Sequence, residues 1–83
     1  MLFMITQVHT PESCPRDTGG SDALIDKSAQ GVSVRGRWGA WSQHTVWYLV
    51  EADSVDAIQR FLDPGMKRCT CTVAPVSESP IKS

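Results

Sequence analysis

His9, Glu12 and Cys14 set an imidazole, a carboxylate and a thiol into one short stretch, H-T-P-E-S-C. An imidazole titrates near neutral pH and can move a proton, and a thiolate can attack an electrophile. The same three groups could also hold a metal ion. A zinc or copper ion would want further donors, and Cys69, Cys71 or His44 could supply them if the fold brings them near. Neither a C-x-x-C nor an H-x-x-x-H spacing occurs in the chain, so no metal or other cofactor is assigned. Metal or haem binding through His9, Glu12 and Cys14 stands as an alternative. The plain structural roles are that Glu12 caps the loop, Cys14 is a small buried hydrophobe, and His9 bonds a backbone carbonyl.

A second group is Arg35, Arg37, Trp38, Trp41, His44 and Trp47, which holds all three tryptophans of the chain. Arginine among indoles can clamp the carboxylate of an aromatic ligand. The same residue types are also enriched where two protein surfaces meet. A third group is Cys69-Thr70-Cys71, an alternating stretch that turns both sulfurs to one side. Two thiolates would suit copper(I), and two small buried apolar groups are the simpler reading. A bridge between them is disfavoured, because one intervening strand residue separates the Cα atoms by roughly 6.5 Å with little freedom to turn the sulfurs together. The odd count of three cysteines reads as reduced thiols in a cytoplasm.

The elements that must position these groups follow from the hydrophobic pattern. Val32 to Ala52 carries β-branched and aromatic residues on both sides of a Gly/Ser-containing break, the pattern of a hairpin. Its strands are expected at Val32 to Trp38 and His44 to Glu51, reversed by Gly39 to Gln43. Gly36 inside the first of them marks a bulge or a close approach. Leu2 to Val8 is expected as the first strand, apolar on both faces and so central. Phe3, Ile5, Gln7 and His9 share one of those faces. Thr10 can cap one helical turn begun by Pro11. Ser21 to Gln30 is expected as a short first helix capped by Ser21 and ended by Gly31. Asp53 to Leu62 is expected as the second, with Asp53 as cap, Asp56 in an approximate capping box, and Val55, Ile58, Phe61 and Leu62 on one face. Arg68 to Val76 is the fourth strand, with Pro75 at its end or edge.

The order is β-α-β-β-α-β, so the fold class is α+β. The expected arrangement is ferredoxin-like: a four-stranded antiparallel sheet with both helices on one face. Residues 1–76 make one domain, and 77–83 a polar tail. Eighty-three residues bury only a modest core, and an open sheet with one bare face is naturally covered by a second copy. The net charge of −1 gives no argument for nucleic acid or an anionic membrane. No apolar run approaches the about 18 residues of a membrane span, and M-L-F-M-I-T does not read as a signal peptide.

The opening M-L-F-M-I-T, the segment H-T-P-E-S-C-P, G-R-W at Gly36 to Trp38, V-E-A-D at Val50 to Asp53 and the closing V-A-P-V form a wider pattern. It resembles a group of short, uncharacterised bacterial proteins of the dimeric α/β-barrel type. More distantly, the start and layout resemble muconolactone isomerase. The resemblance implies a homodimer of ferredoxin-like sheets packed face to face, and a small-molecule site. Superfamily members include cofactor-free monooxygenases, isomerases, haem-degrading enzymes and plain ligand binders. The expectation is therefore a cavity lined by Phe3, Ile5, Gln7, His9 and hairpin aromatics, for an aromatic or polyketide-like compound. In a catalytic version His9 acts as acid/base, with Arg35 or Arg37 holding an anionic group. Gln7, Glu12, Arg37, Trp38, Trp41, His44 and Trp47 are the expected ligand contacts. A non-catalytic binding or regulatory subunit is the other reading.

Overall fold

A computed structural model describes residues 1–79 and 81 of the chain. β1 (Leu2–His9), β2 (Val32–Ala40), β3 (Thr45–Ala52) and β4 (Cys69–Pro75) form a four-stranded sheet in the order β2-β3-β1-β4. Each neighbouring pair is antiparallel. α1 (Val55–Leu62) packs against one face.

Period-two alternation sorts the strands into an inner and an outer face. Phe3, Ile5, Gln7 and His9 of β1 are buried, as are Val46, Tyr48, Val50 and Ala52 of β3. Ile58, Phe61 and Leu62 of α1 close over them. Burying those three helix side chains contributes roughly 5–9 kcal/mol before conformational entropy is subtracted. Ser54, not Asp53, caps the helix: its Oγ accepts from the Ala57 amide at 3.1 Å. A 3-10 turn, Asp63–Gly65, ends it.

β1 is an inner strand, but it is not buried on both sides. Its other set, Leu2, Met4, Thr6 and Val8, is half-buried or exposed. With Trp47 and Leu49 of β3 and Trp38 of β2 these residues form an apolar outer face that no element of the described residues packs against as a second layer.

The expected first helix is not formed. Gly20–Leu24 makes a short 3-10 turn, and Ile25 is already extended at φ −137° and ψ 159°. The turn starts from Gly19 at φ 111°, so Ser21 is not its cap. Ala23, Leu24 and Ile25 are consecutive and give no stripe at the spacing a helix must bury. Asp26 then takes the Ser28 amide and hydroxyl, at 2.9 and 2.6 Å, in a local turn that competes with helix.

Gly36 fulfils both halves of its expectation. The β2–β3 register shifts between Val34 and Gly36, and a Cβ on Gly36 would lie 2.4 Å from the Trp38 ring. Thr10 caps the turn Pro11–Ser13. The hairpin reversal is a 3-10 turn, Trp41–Gln43, ending on His44 in the left-handed region at φ 51°.

Candidate functional site

The antiparallel register of β1 and β3 sets Val8 opposite Thr45, so the next residue of one strand meets the preceding residue of the other. The His9 amide donates to the His44 carbonyl at 3.0 Å. The two rings then meet edge to face, with centroids 5.1 Å apart and Nε2 of His9 3.3 Å from Nδ1 of His44. Trp41, on the same turn, tilts its indole toward His9 at 6.3 Å between centroids.

Cys14 arrives from the other side. Ser13 Oγ donates to the Arg68 carbonyl at 3.0 Å, and the Arg68 guanidinium donates back to the Ser13 carbonyl at 2.9 Å. These bonds tie the Pro11–Ser13 turn to the start of β4. One donor atom from each of His9, Cys14 and His44 lies within 4.8 Å of the others.

His9 is 3 % exposed, and its Nδ1 is buried without a hydrogen-bond partner. An unsatisfied buried group of this kind costs about 1–3 kcal/mol. Burial first, then the neighbouring His44 and Arg68, hold the His9 pKa below the usual imidazole value. His9 is therefore neutral at pH 7, with one nitrogen free to accept a proton or an ion.

Beside this pair, between the Gly20–Leu24 turn and the hairpin, is a cleft of about 240 Å³. Ser21, Arg37, Gly39, Trp41, Thr45 and Val46 are among its lining residues. Arg37 donates to Ser21 Oγ at 2.7 Å, reaches Asp22 at 2.8 Å, and lies 5.6 Å above the Tyr48 ring. Asp22 also binds Lys27 at 2.9 Å, and hydrogen bonds from Lys27 and Arg37 hold its carboxyl below the usual carboxylate range. The guanidinium charge is thus already partnered.

The structure divides the expected site. His9, His44, Trp41 and Arg37 gather at one end of the sheet. Arg35 pairs with Glu51 on the outer face, so His9 and Arg35 cannot act on one substrate within a protomer. Trp38 and Trp47 oppose one another across β2 and β3 on the outer face; Trp38 also lines the cleft with Arg37 and Trp41, and Trp47 does not. Glu12 is exposed on its turn and is not part of the His9–Cys14–His44 group. Gln7 has no exposure and is not among the residues lining the cleft. Its amide donates to the Leu24 carbonyl at 3.2 Å and accepts from the Tyr48 hydroxyl at 2.9 Å. Burial pushes the Tyr48 phenol up to about 12. Burial likewise raises the Cys69 and Cys71 thiols, so both are protonated at neutral pH.

Sequence reasoning missed Ser21, Asp22 and Arg68. The first two fall at the start of the expected helix Ser21 to Gln30, and the role of Arg68 depends on a contact across 55 residues.

The chain belongs to the family defined by a domain of unknown function, DUF3303, whose model matches residues 1–80. No curated protein and no solved structure matches it. No helix among the described residues is long and apolar enough to cross a membrane.

Proposed function

We propose that the protein is a small-molecule-binding homodimer in which two ferredoxin-like sheets pack outer face to outer face. The sheet order supports the fold reading: both outer strands are reached by a connection that crosses an inner strand. The bare outer face supports the pairing. The Cα trace is a slab of 37 × 32 × 16 Å. A face of that outline offers on the order of 1,000 Å², against the about 800 Å² per partner of a standard interface. Val8 and Trp38 are 43 % and 55 % exposed on it, and a second copy would remove both from water.

The ligand reading rests on one observation: the cleft carries an indole, Trp41, that is still 43 % exposed and leans on the buried imidazole of the His9–His44 pair. With Arg37 held by Asp22, the cleft favours a small, uncharged aromatic molecule over a carboxylate. A cofactor-free proton transfer would be relayed through His44, the less buried of the two imidazoles.

Two measurements test this. In sedimentation at micromolar concentration the chain runs at twice its own mass, and Leu49→Glu halves it. A monomer in the wild type would end the pairing. In nitrogen–proton spectra a panel of simple phenols shifts the Trp41 indole resonance, and Trp41→Ala weakens their binding about tenfold. Phenols that shift no hairpin resonance would end the ligand reading.

A further inference from the structure

We propose that His9, Cys14 and His44 form a binding site for a late first-row transition-metal ion, Zn²⁺ in the first place. The proposal would replace the cofactor-free relay through His44 and leaves small-molecule binding in the cleft untouched, since none of its three ligands lines the cleft.

Two imidazoles and a thiol are borderline-soft donors. They suit Zn²⁺ and its neighbours, and they are poor ligands for Mg²⁺ or Ca²⁺, which take oxygen. The geometry agrees. In a tetrahedral zinc site with Zn–N bonds of about 2.05 Å, two ligand nitrogens sit about 3.3 Å apart, and nitrogen and sulfur about 3.6 Å apart. Nε2 of His9 and Nδ1 of His44 are 3.3 Å apart. That separation is long for a direct hydrogen bond and right for two ligands of one ion. All three donors lie within 4.8 Å of one another, so the Cys14 side chain needs at most about an ångström of closure to complete the triangle.

Two further observations point the same way. His44 sits at φ 51°, in the left-handed region where histidine is enriched among non-glycine residues, and it is this turn that delivers its ring to His9. Cys14 is fixed by a separate pair of hydrogen bonds between Ser13 and Arg68. The three donors are thus set by the end of β1, the hairpin turn and a tethered loop. On binding, the Cys14 thiol gives its proton to solvent and the thiolate sulfur binds the ion. Three protein ligands leave a fourth position for water or a ligand atom.

Cobalt(II) is the probe, because a cobalt–thiolate bond announces itself optically. The full chain, purified without an affinity tag and kept reduced, is titrated with Co²⁺ and then Zn²⁺. The expected result is one Co²⁺ per chain, with a thiolate-to-cobalt charge-transfer band and visible bands of tetrahedral intensity, all bleached by one equivalent of Zn²⁺. Cys14→Ser abolishes the charge-transfer band, while Cys69→Ser and Cys71→Ser leave it. His44→Asn suits the left-handed turn and keeps the fold; it weakens Zn²⁺ binding by about 100-fold or more. His9 is too buried to be the primary variant, so circular dichroism of the Cys14 and His44 variants confirms that loss of metal is not loss of fold. The proposal is overturned if the wild type shows no cobalt–thiolate band. It is equally overturned if the band survives Cys14→Ser, or if His44→Asn binds Zn²⁺ as the wild type does.

Discussion

Gln7 and Tyr48 make the sharpest test of how the inner face is held together. Both are at 0 % exposure, and their bond is 2.9 Å long. Tyr48→Phe deletes the donor and strands the Gln7 carbonyl oxygen in the core, at a cost of about 1–3 kcal/mol. Gln7→Leu strands two groups, the Tyr48 hydroxyl and the Leu24 carbonyl, at about 2–4 kcal/mol. In the double variant the stranded hydroxyl is gone, so the two losses must not add; the coupling is expected at about 1–2 kcal/mol. A domain of this length has about 4–12 kcal/mol of stability in all, so each single variant remains measurable. Urea unfolding at fixed protein concentration reads the effect. With a slope of about 1 kcal/mol per molar urea, Tyr48→Phe lowers the midpoint by about 1–3 M. Single variants within 0.5 kcal/mol of wild type, or losses that simply sum, would refute the reasoning and return Gln7 to the role of a ligand contact.

Two further outcomes follow from the same core. The Tyr48 phenol stays protonated in the folded state up to about 12, whereas an unfolded tyrosine ionises at about 10. Between those values the folded state binds more protons, so stability falls as pH rises, by about 2–3 kcal/mol in all; Tyr48 is the only tyrosine, so a phenolate titration of the native protein checks the value directly, and a wild type no steeper in alkali than Tyr48→Phe contradicts it. Gly65→Ala would place its Cβ 2.6 Å from the Leu24 carbonyl oxygen and 2.9 Å from the Gln7 amide. It is expected to cost about 1–3 kcal/mol by thermal or urea unfolding, and a neutral result would mean that the turn is free to move away.

The four strands and α1 were legible because each carries its own period. Phe3, Ile5 and Val46, Tyr48, Val50 alternate; Ile58, Phe61 and Leu62 recur at helical spacing. The segment after Gly20 was not, because its apolar residues are contiguous and its capping residues serve equally well in turns. Alternation alone puts Arg35 and Arg37 on one face. The extra residue between Val34 and Gly36 breaks that parity: Arg35 stays outside with Glu51, and Arg37 turns in over Tyr48. His9 and Cys14 were visible as neighbours in sequence. That His44 and not Glu12 joins them depends on the β1–β3 register, which no local pattern states.

The missing first helix and the cleft are one fact seen twice. A helix over residues 21–30 would run across the inner face beside α1 and cover the end of β2 and β3. In its place, Leu24 and Ile25 are buried at 0 % and 4 % exposure, with the Leu24 carbonyl taken by Gln7 and Gly65 close behind. Thr45 and Val46, at 8 % and 5 % exposure, and Gly39 then line the edge of the cleft. That space persists because the turn is tethered: Ser21 and Asp22 bind Arg37, which the bulge at Gly36 has rotated inward. A sheet that gave up half its roof would ordinarily let the remaining turn collapse onto the exposed strands. Here one arginine, reoriented by one extra strand residue, ties the turn to β2 at the cleft that Trp41 also lines.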